Sequence, residues 1–144
     1  MEPFTPREQI IEVVNKLFVY TDERHWDKLQ EEVFTKVVLL DMSSMGVNAT
    51  TISSKEICEK WTQGFAALDA VNHLVGNHLV TLREKDADVF AYATATHFKK
   101  NTQNGNTREY VGTYLLHLIR KENGWRVDKF KYNLKYMTGN LDLE

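Results

Sequence analysis

From Val71 onward the apolar residues alternate with a period of two, in four long runs: Val71–Arg83, Ala87–Lys100, Thr107–Lys121 and Trp125–Tyr136. That period sends successive side chains to opposite faces of a strand, so this half of the chain is committed to a sheet. The connections are short and polar: Glu84–Asp86, a stretch around Gln103-Asn104-Gly105, and Asn123-Gly124. Asn-Gly between strand-forming runs is the strongest short-range hairpin signal. The four strands therefore read as an antiparallel meander.

The chain before Val71 keeps a helical period. Thr5-Pro6-Arg7-Glu8 combines an N-cap, a proline at the first helical position and a capping box. Ile11, Val14, Phe18 and Asp22 then share one face of a helix. His25-Trp26-Asp27 opens a short second helix through Leu29, and Val37–Asp41 reads as a strand. Ser53-x-x-Glu56 is a second capping box, followed by the amphipathic stripe Ile57, Trp61, Phe65 and Leu68. Cys58 beside that stripe reads as packing. Helices first and a meander second predict an α+β protein, with helices on the concave face of a curved, mainly antiparallel sheet.

Composition narrows the function classes. At 144 residues a single domain spanning 1–144 is expected. A net charge of -2, with both signs interspersed, argues against a nucleic-acid binder, which needs a basic face. No apolar run approaches the roughly 18 residues of a membrane span. The polar start MEPFTPREQ is unlike a signal peptide, and the lone Cys58 allows no internal disulfide, so a cytoplasmic location is expected.

Three residues do not suit the segments that carry them. Asp22 lies on the apolar stripe of the first helix, near an end where the macrodipole disfavours an acid. His73 and His97 interrupt strands on apolar phases. Such groups are costly in a core unless they satisfy one another or do chemistry. Around them, Ala87, Val89, Ala91, Ala93 and Ala95 share one face with His97. Small residues on a concave face either admit close helix packing or leave a ligand pocket. His78 changes face if Gly76-Asn77 forms a bulge. His117 reads as a remote pocket residue, and His25 as surface. Phe90, Tyr92 and Phe98 occupy the other face of the alanine strand. They predict burial against a second copy, most simply a dimer, with a trimer as the alternative.

Tyr20-Thr21-Asp22-Glu23-Arg24-His25-Trp26-Asp27-Lys28-Leu29, Asn72-His73-Leu74-Val75-Gly76-Asn77, Ala95-Thr96-His97 and Asn123-Gly124-Trp125-Arg126-Val127 are similar to four motifs of one family. The chain resembles the nuclear transport factor 2-like superfamily, specifically its SnoaL-like branch and within it the scytalone dehydratases. The resemblance covers nearly the whole chain and implies a cone-shaped fold around a pocket. It also implies an active site of Asp22, His73 and His97, with the two histidines handling protons in a cofactor-free loss of water. Departures fall among the groups that hold substrate. Thr21 stands where a tyrosine precedes the acid, Met42 where a second tyrosine belongs, Thr113 for a serine and Leu115 for an asparagine.

The resulting expectation is a lyase or isomerase-type enzyme: a dehydratase, cyclase or isomerase acting on a small, largely apolar carbonyl compound. Asp22, His73 and His97 are the catalytic candidates. His97 is taken as base, His73 as acid and Asp22 as the orienting group, a division that the residues alone do not decide. Tyr20, Met42, Trp61, Phe65, Thr113 and Leu115 are the substrate-binding candidates. Two histidines and a carboxylate also match an iron facial triad, but the usual His-x-Asp/Glu spacing is absent, so neither metal nor cofactor is expected. The alternative is a non-catalytic ligand-binding or protein-association domain on the same fold.

Overall fold

The structure, a computed structural model, describes residues 3–143. Helix α1 runs Pro6–Asp22 and opens as its residues dictate. Thr5 Oγ1 accepts the Glu8 amide at 3.2 Å, and the Glu8 carboxylate accepts the Thr5 amide at 3.0 Å. The buried face is Ile10, Val13, Val14, Leu17, Phe18 and Thr21. This corrects the expected stripe: Ile11 is only half-buried, and Asp22 lies at the margin of the apolar face. The helix ends in a Schellman arrangement. The His25 amide reaches the Tyr20 carbonyl and the Arg24 amide the Thr21 carbonyl, at 2.8 and 3.1 Å. Arg24 takes the left-handed conformation there, with φ 59°, a cost usually left to glycine. Its guanidinium offsets this by donating to the carbonyls of Phe65 and Leu68. The end of α1 is thereby tied to the end of the third helix.

The expected second helix is a single turn, α2 (Trp26–Lys28), which widens into a π-helical turn at Leu29–Val33. Strand β1 (Phe34–Asp41) begins earlier than its apolar run suggested. After it come β2 (Thr50–Ser53), a strand the sequence did not announce, and helix α3 (Ser54–Phe65). Ser53 caps α3 by accepting the Glu56 amide at 3.1 Å. The meander follows as β3 (Ala70–Leu82), β4 (Asp86–Phe98), β5 (Thr107–Lys121) and β6 (Gly124–Gly139).

The six strands form one curved sheet in the order β2-β1-β6-β5-β4-β3, antiparallel except where β1 runs parallel to β6. Three helices pack against it, so the α+β expectation holds. Strand β4 follows its alternation without a break: Ala87, Val89, Ala91, Ala93, Ala95 and His97 are all buried. Two other strands do not. In β3 the register jumps between Gly76 and Leu79, with Asn77 at φ 57°, so a bulge does turn His78 onto the other phase. In β6 the buried set shifts from Trp125 and Val127 to Phe130 and Tyr132, across a register shift opposite His117 and Leu118. Both irregularities re-aim the side chains that follow them.

On the opposite face Tyr92, Leu115 and Tyr136 are exposed. His117 lies on that face too, not near the concave side as expected of a pocket residue. Its Nδ1 meets Asp128 at 2.6 Å and its Nε2 meets Asp86 at 2.8 Å. Asp86 also binds Arg83, whose guanidinium reaches Asp88. Burial alone lowers the His117 pKa, but the bonds to Asp86 and Asp128 outweigh it, and the net shift is upward. A histidine with a raised folded-state pKa stabilises fully below its unfolded value of ~6.5 and loses that contribution as pH rises through the folded value. The penalty of His117→Gln, read from thermal midpoints, is therefore expected to be larger at acidic pH than at alkaline pH. An equal penalty at both would remove the imidazolium from this cluster.

Candidate active site

Asp22 is the last residue of α1, and His73 is the fourth of β3. The helix end and strand meet so that the carboxylate grips the histidine twice. Asp22 Oδ1 lies 2.6 Å from His73 Nδ1, and Oδ2 accepts the His73 backbone amide at 2.8 Å. The side chains are only 14% and 8% exposed, respectively. A carboxylate has acceptors only, so Nδ1 carries a hydrogen, and in the neutral ring the lone pair then lies on Nε2. The same two bonds offset the cost of an acid at a helix C-terminus.

His73 opens into a cavity of about 180 Å³ between the helices and the sheet. Its walls are aromatic. Phe18 lies 5.2 Å from the His73 ring and 4.8 Å from Tyr114, and Tyr114 meets Phe130 edge-on and Tyr132 at a tilt. Trp61 of α3 closes onto Phe130 at 5.7 Å, and Phe65 meets the edge of His97 at 5.7 Å. Ala95 and Thr21 are small lining residues, and the Thr21 hydroxyl is turned away to the Leu17 carbonyl at 2.6 Å. An apolar cavity of roughly 150 Å³ admits benzene, so this space suits a ligand built on about one six-membered ring.

His97 lies on the neighbouring strand. His73 pairs with Ala95, and His97 follows two residues later on the same face. The two histidines are diagonal neighbours, roughly 7–8 Å apart. His97 Nδ1 faces Arg108 Nη2 at 2.9 Å, and the guanidinium stands 5.3 Å from the Tyr110 ring. Tyr132 lies across Gly112, where a Cβ would come within 2.6 Å of its hydroxyl. That hydroxyl is buried and makes no hydrogen bond among the described residues. Burial, with a smaller effect of Tyr110, pushes its pKa up to about 12, so it stays a neutral phenol. Burial likewise raises the Cys58 thiol to about 11, which makes it unreactive.

The structure sorts the candidates. His73, His97, Met42, Trp61 and Phe65 line the cavity. Asp22 does not line it but stands behind His73. Tyr20, Thr113 and Leu115 are not brought there. Tyr20 points to Glu32, bonding at 3.3 Å. Thr113 and Leu115 sit on the odd phase of β5, opposite Tyr92 and Phe90, while the even residues Tyr110 and Tyr114 face inward. Arg108 and Tyr132 were missed. Arg108 had a signal, as a charge on the inward phase of β5. Tyr132 had none, because the shift in β6 hides its phase. Among the described residues no three His, Cys, Asp or Glu side chains converge as a metal site.

The SnoaL-like domain model matches residues 3–131. The chain belongs to the SnoaL-like domain family. Among solved structures, the Kfla4162 protein from Kribbella flavida superposes with a TM-score of 0.90 at 24% identity, covering 96% of this chain and 95% of the other. A candidate aromatic ring hydroxylase from Novosphingobium aromaticivorans gives 0.80 at 24%, over 99% of both chains. A candidate scytalone dehydratase from the same organism gives 0.77 at 12%, over 91% and 85%. A type 2 hexachlorocyclohexane dehydrochlorinase gives 0.76 at 12%, over 92% and 87%. These likenesses establish a shared fold. No curated protein matches the chain by sequence.

The cavity has a direct test. Ala95→Val adds two carbons where Ala95 meets the empty space. The variant is expected to be as stable as the parent or up to about 1 kcal/mol more stable, as cavity filling commonly is. It should also lose uptake of single-ring probes such as fluorobenzene, followed by fluorine NMR. Unchanged uptake would show that the space beside Ala95 is not where such ligands sit.

Proposed function

We propose that this SnoaL-like protein is a cofactor-independent lyase or isomerase-type enzyme acting on a compact, largely apolar carbonyl compound. The observation that carries the reading is the Asp22–His73 dyad, which holds the Nε2 lone pair of His73 toward an aromatic cavity. A carboxylate behind a histidine fixes its tautomer and stabilises the imidazolium formed when it takes a proton. His73 is accordingly the base, which reverses the division first drawn from the sequence. It removes a proton beside the carbonyl, and the electron pair moves onto the carbonyl oxygen. In an elimination the carbonyl re-forms, the C–O bond to a β-hydroxyl breaks, and the departing hydroxide takes the proton from His73 as water. In an isomerisation the same proton returns at another carbon. Structural neighbours named for loss of water and of hydrogen chloride are consistent with such proton removal.

Deuterium exchange in heavy water tests the first step without knowledge of the natural substrate. A panel of single-ring ketones and β-hydroxy ketones is followed by proton NMR. Asp22→Asn and His73→Gln keep approximate shape and should slow any exchange by at least ~10². Because polar groups kept for function commonly cost stability, both variants should melt near or above the parent. Marked destabilisation of both, with probe binding unchanged, would identify a structural network and a binding domain instead.

The exposed face bearing Tyr92, Leu115 and Tyr136 supports association of two copies. A dimer is expected in sedimentation at tens of micromolar, weakened by Tyr92→Lys. A monomer at that concentration would exclude it.

A further inference from the structure

Arg108 is a buried cation, 6% exposed, directly opposite His97 in the β4–β5 ladder. A guanidinium offers five N–H donors and no acceptor. The nitrogen that faces it at 2.9 Å, His97 Nδ1, must therefore hold a lone pair, which leaves the ring proton on Nε2. His73 has the converse arrangement, with its Nδ1 hydrogen held by Asp22. Two histidines on adjacent strands, facing one cavity, are thus set in opposite tautomers by partners of opposite charge. For His97 to accept a proton at Nε2, its own hydrogen would have to sit on Nδ1. That places two donors face to face and forfeits a charge-assisted bond.

We propose that Arg108 is a positioning residue that fixes His97 as the Nε2–H tautomer, barring it from the base role and leaving proton abstraction to His73. The inference rests on the acid–base reading of the cavity and adds a direction to it. The ligand's acidic C–H lies at His73, and its oxygen, which gains charge as the proton leaves, lies on the His97 side. The substrate class is then a single-ring compound with a carbonyl group next to the acidic carbon, short enough to span two adjacent strands.

Two-bond proton–nitrogen correlation spectra of the full chain distinguish protonated from lone-pair ring nitrogens. In the parent protein, His97 should show a lone-pair Nδ1 and a protonated Nε2, and His73 the reverse. Arg108→Met keeps the apolar stem but removes the donors, and His97 should lose its single-tautomer pattern. Arg108→Lys restores a donor and should restore the pattern. A protonated His97 Nδ1 in the parent overturns the proposal, and the parent spectrum alone decides this if the variants do not fold. An unchanged pattern in folded Arg108→Met also overturns it. Activity is a separate readout. His97→Gln retains an amide donor and should keep more deuterium exchange than His73→Gln; equal or greater loss counts against the assignment. The expected tautomers with no exchange on any probe would remove the enzymatic reading while leaving the role of Arg108 intact.

Discussion

The two bonds from Asp22 to His73 are the contact on which the rest of the site depends. They are made by the last residue of α1, so they fix where that helix stops relative to β3. Little else is available at this point. The helix ends with a non-glycine residue in the left-handed region, and its final carbonyls are satisfied only because the chain turns sharply through Arg24 and His25. Arg24 then carries the restraint across to α3 through the Phe65 and Leu68 carbonyls. The roof of the cavity is thus held at two corners, by a carboxylate–imidazole hydrogen bond to the sheet and a guanidinium clamp between helices.

The cavity itself is a consequence of residue size. Large side chains on α1, α3, β5 and β6 keep helices and sheet apart, while β4 presents alanine after alanine beneath them. Close packing would require those alanines to meet the helix side chains, and at Ala95 they do not, so space remains. Gly112 has the opposite task. Its missing side chain lets the Tyr132 phenol lie against the sheet instead of projecting into the cavity. An aromatic, apolar lining strengthens the electrostatic contacts of the few polar atoms within it.

Much of the fold was legible because local signals agreed with one another. Thr5 and Ser53 began their helices, and the alternation of β4 predicted every buried residue on it. Legibility failed wherever the period was interrupted. The shift in β6 moves burial from odd to even residues between Val127 and Phe130, which concealed Tyr132. On β5 the inward phase is Arg108, Tyr110 and Tyr114, so Thr113 and Leu115, chosen by likeness to a family motif, fell on the wrong side. Strand β2 is four residues long with no apolar alternation, too little for a periodic signal. Asp22, His73 and His97 stood out for a simpler reason: each is ionisable in an apolar pattern, and that anomaly does not depend on counting register.

What the sequence left open was the relation between the two histidines, since an imidazole's role is set by what its distant nitrogen touches. Strand pairing supplies that information. The β3–β4 ladder places His73 and His97 on one face, and the β4–β5 ladder sets Arg108 opposite His97. Asp22 arrives from a helix and bonds to β3, the outermost strand of this side of the sheet. An edge strand open to a helix end receives the anion, and an inner strand flanked by another strand receives the cation. Sheet order thereby gives two chemically identical side chains partners of opposite charge.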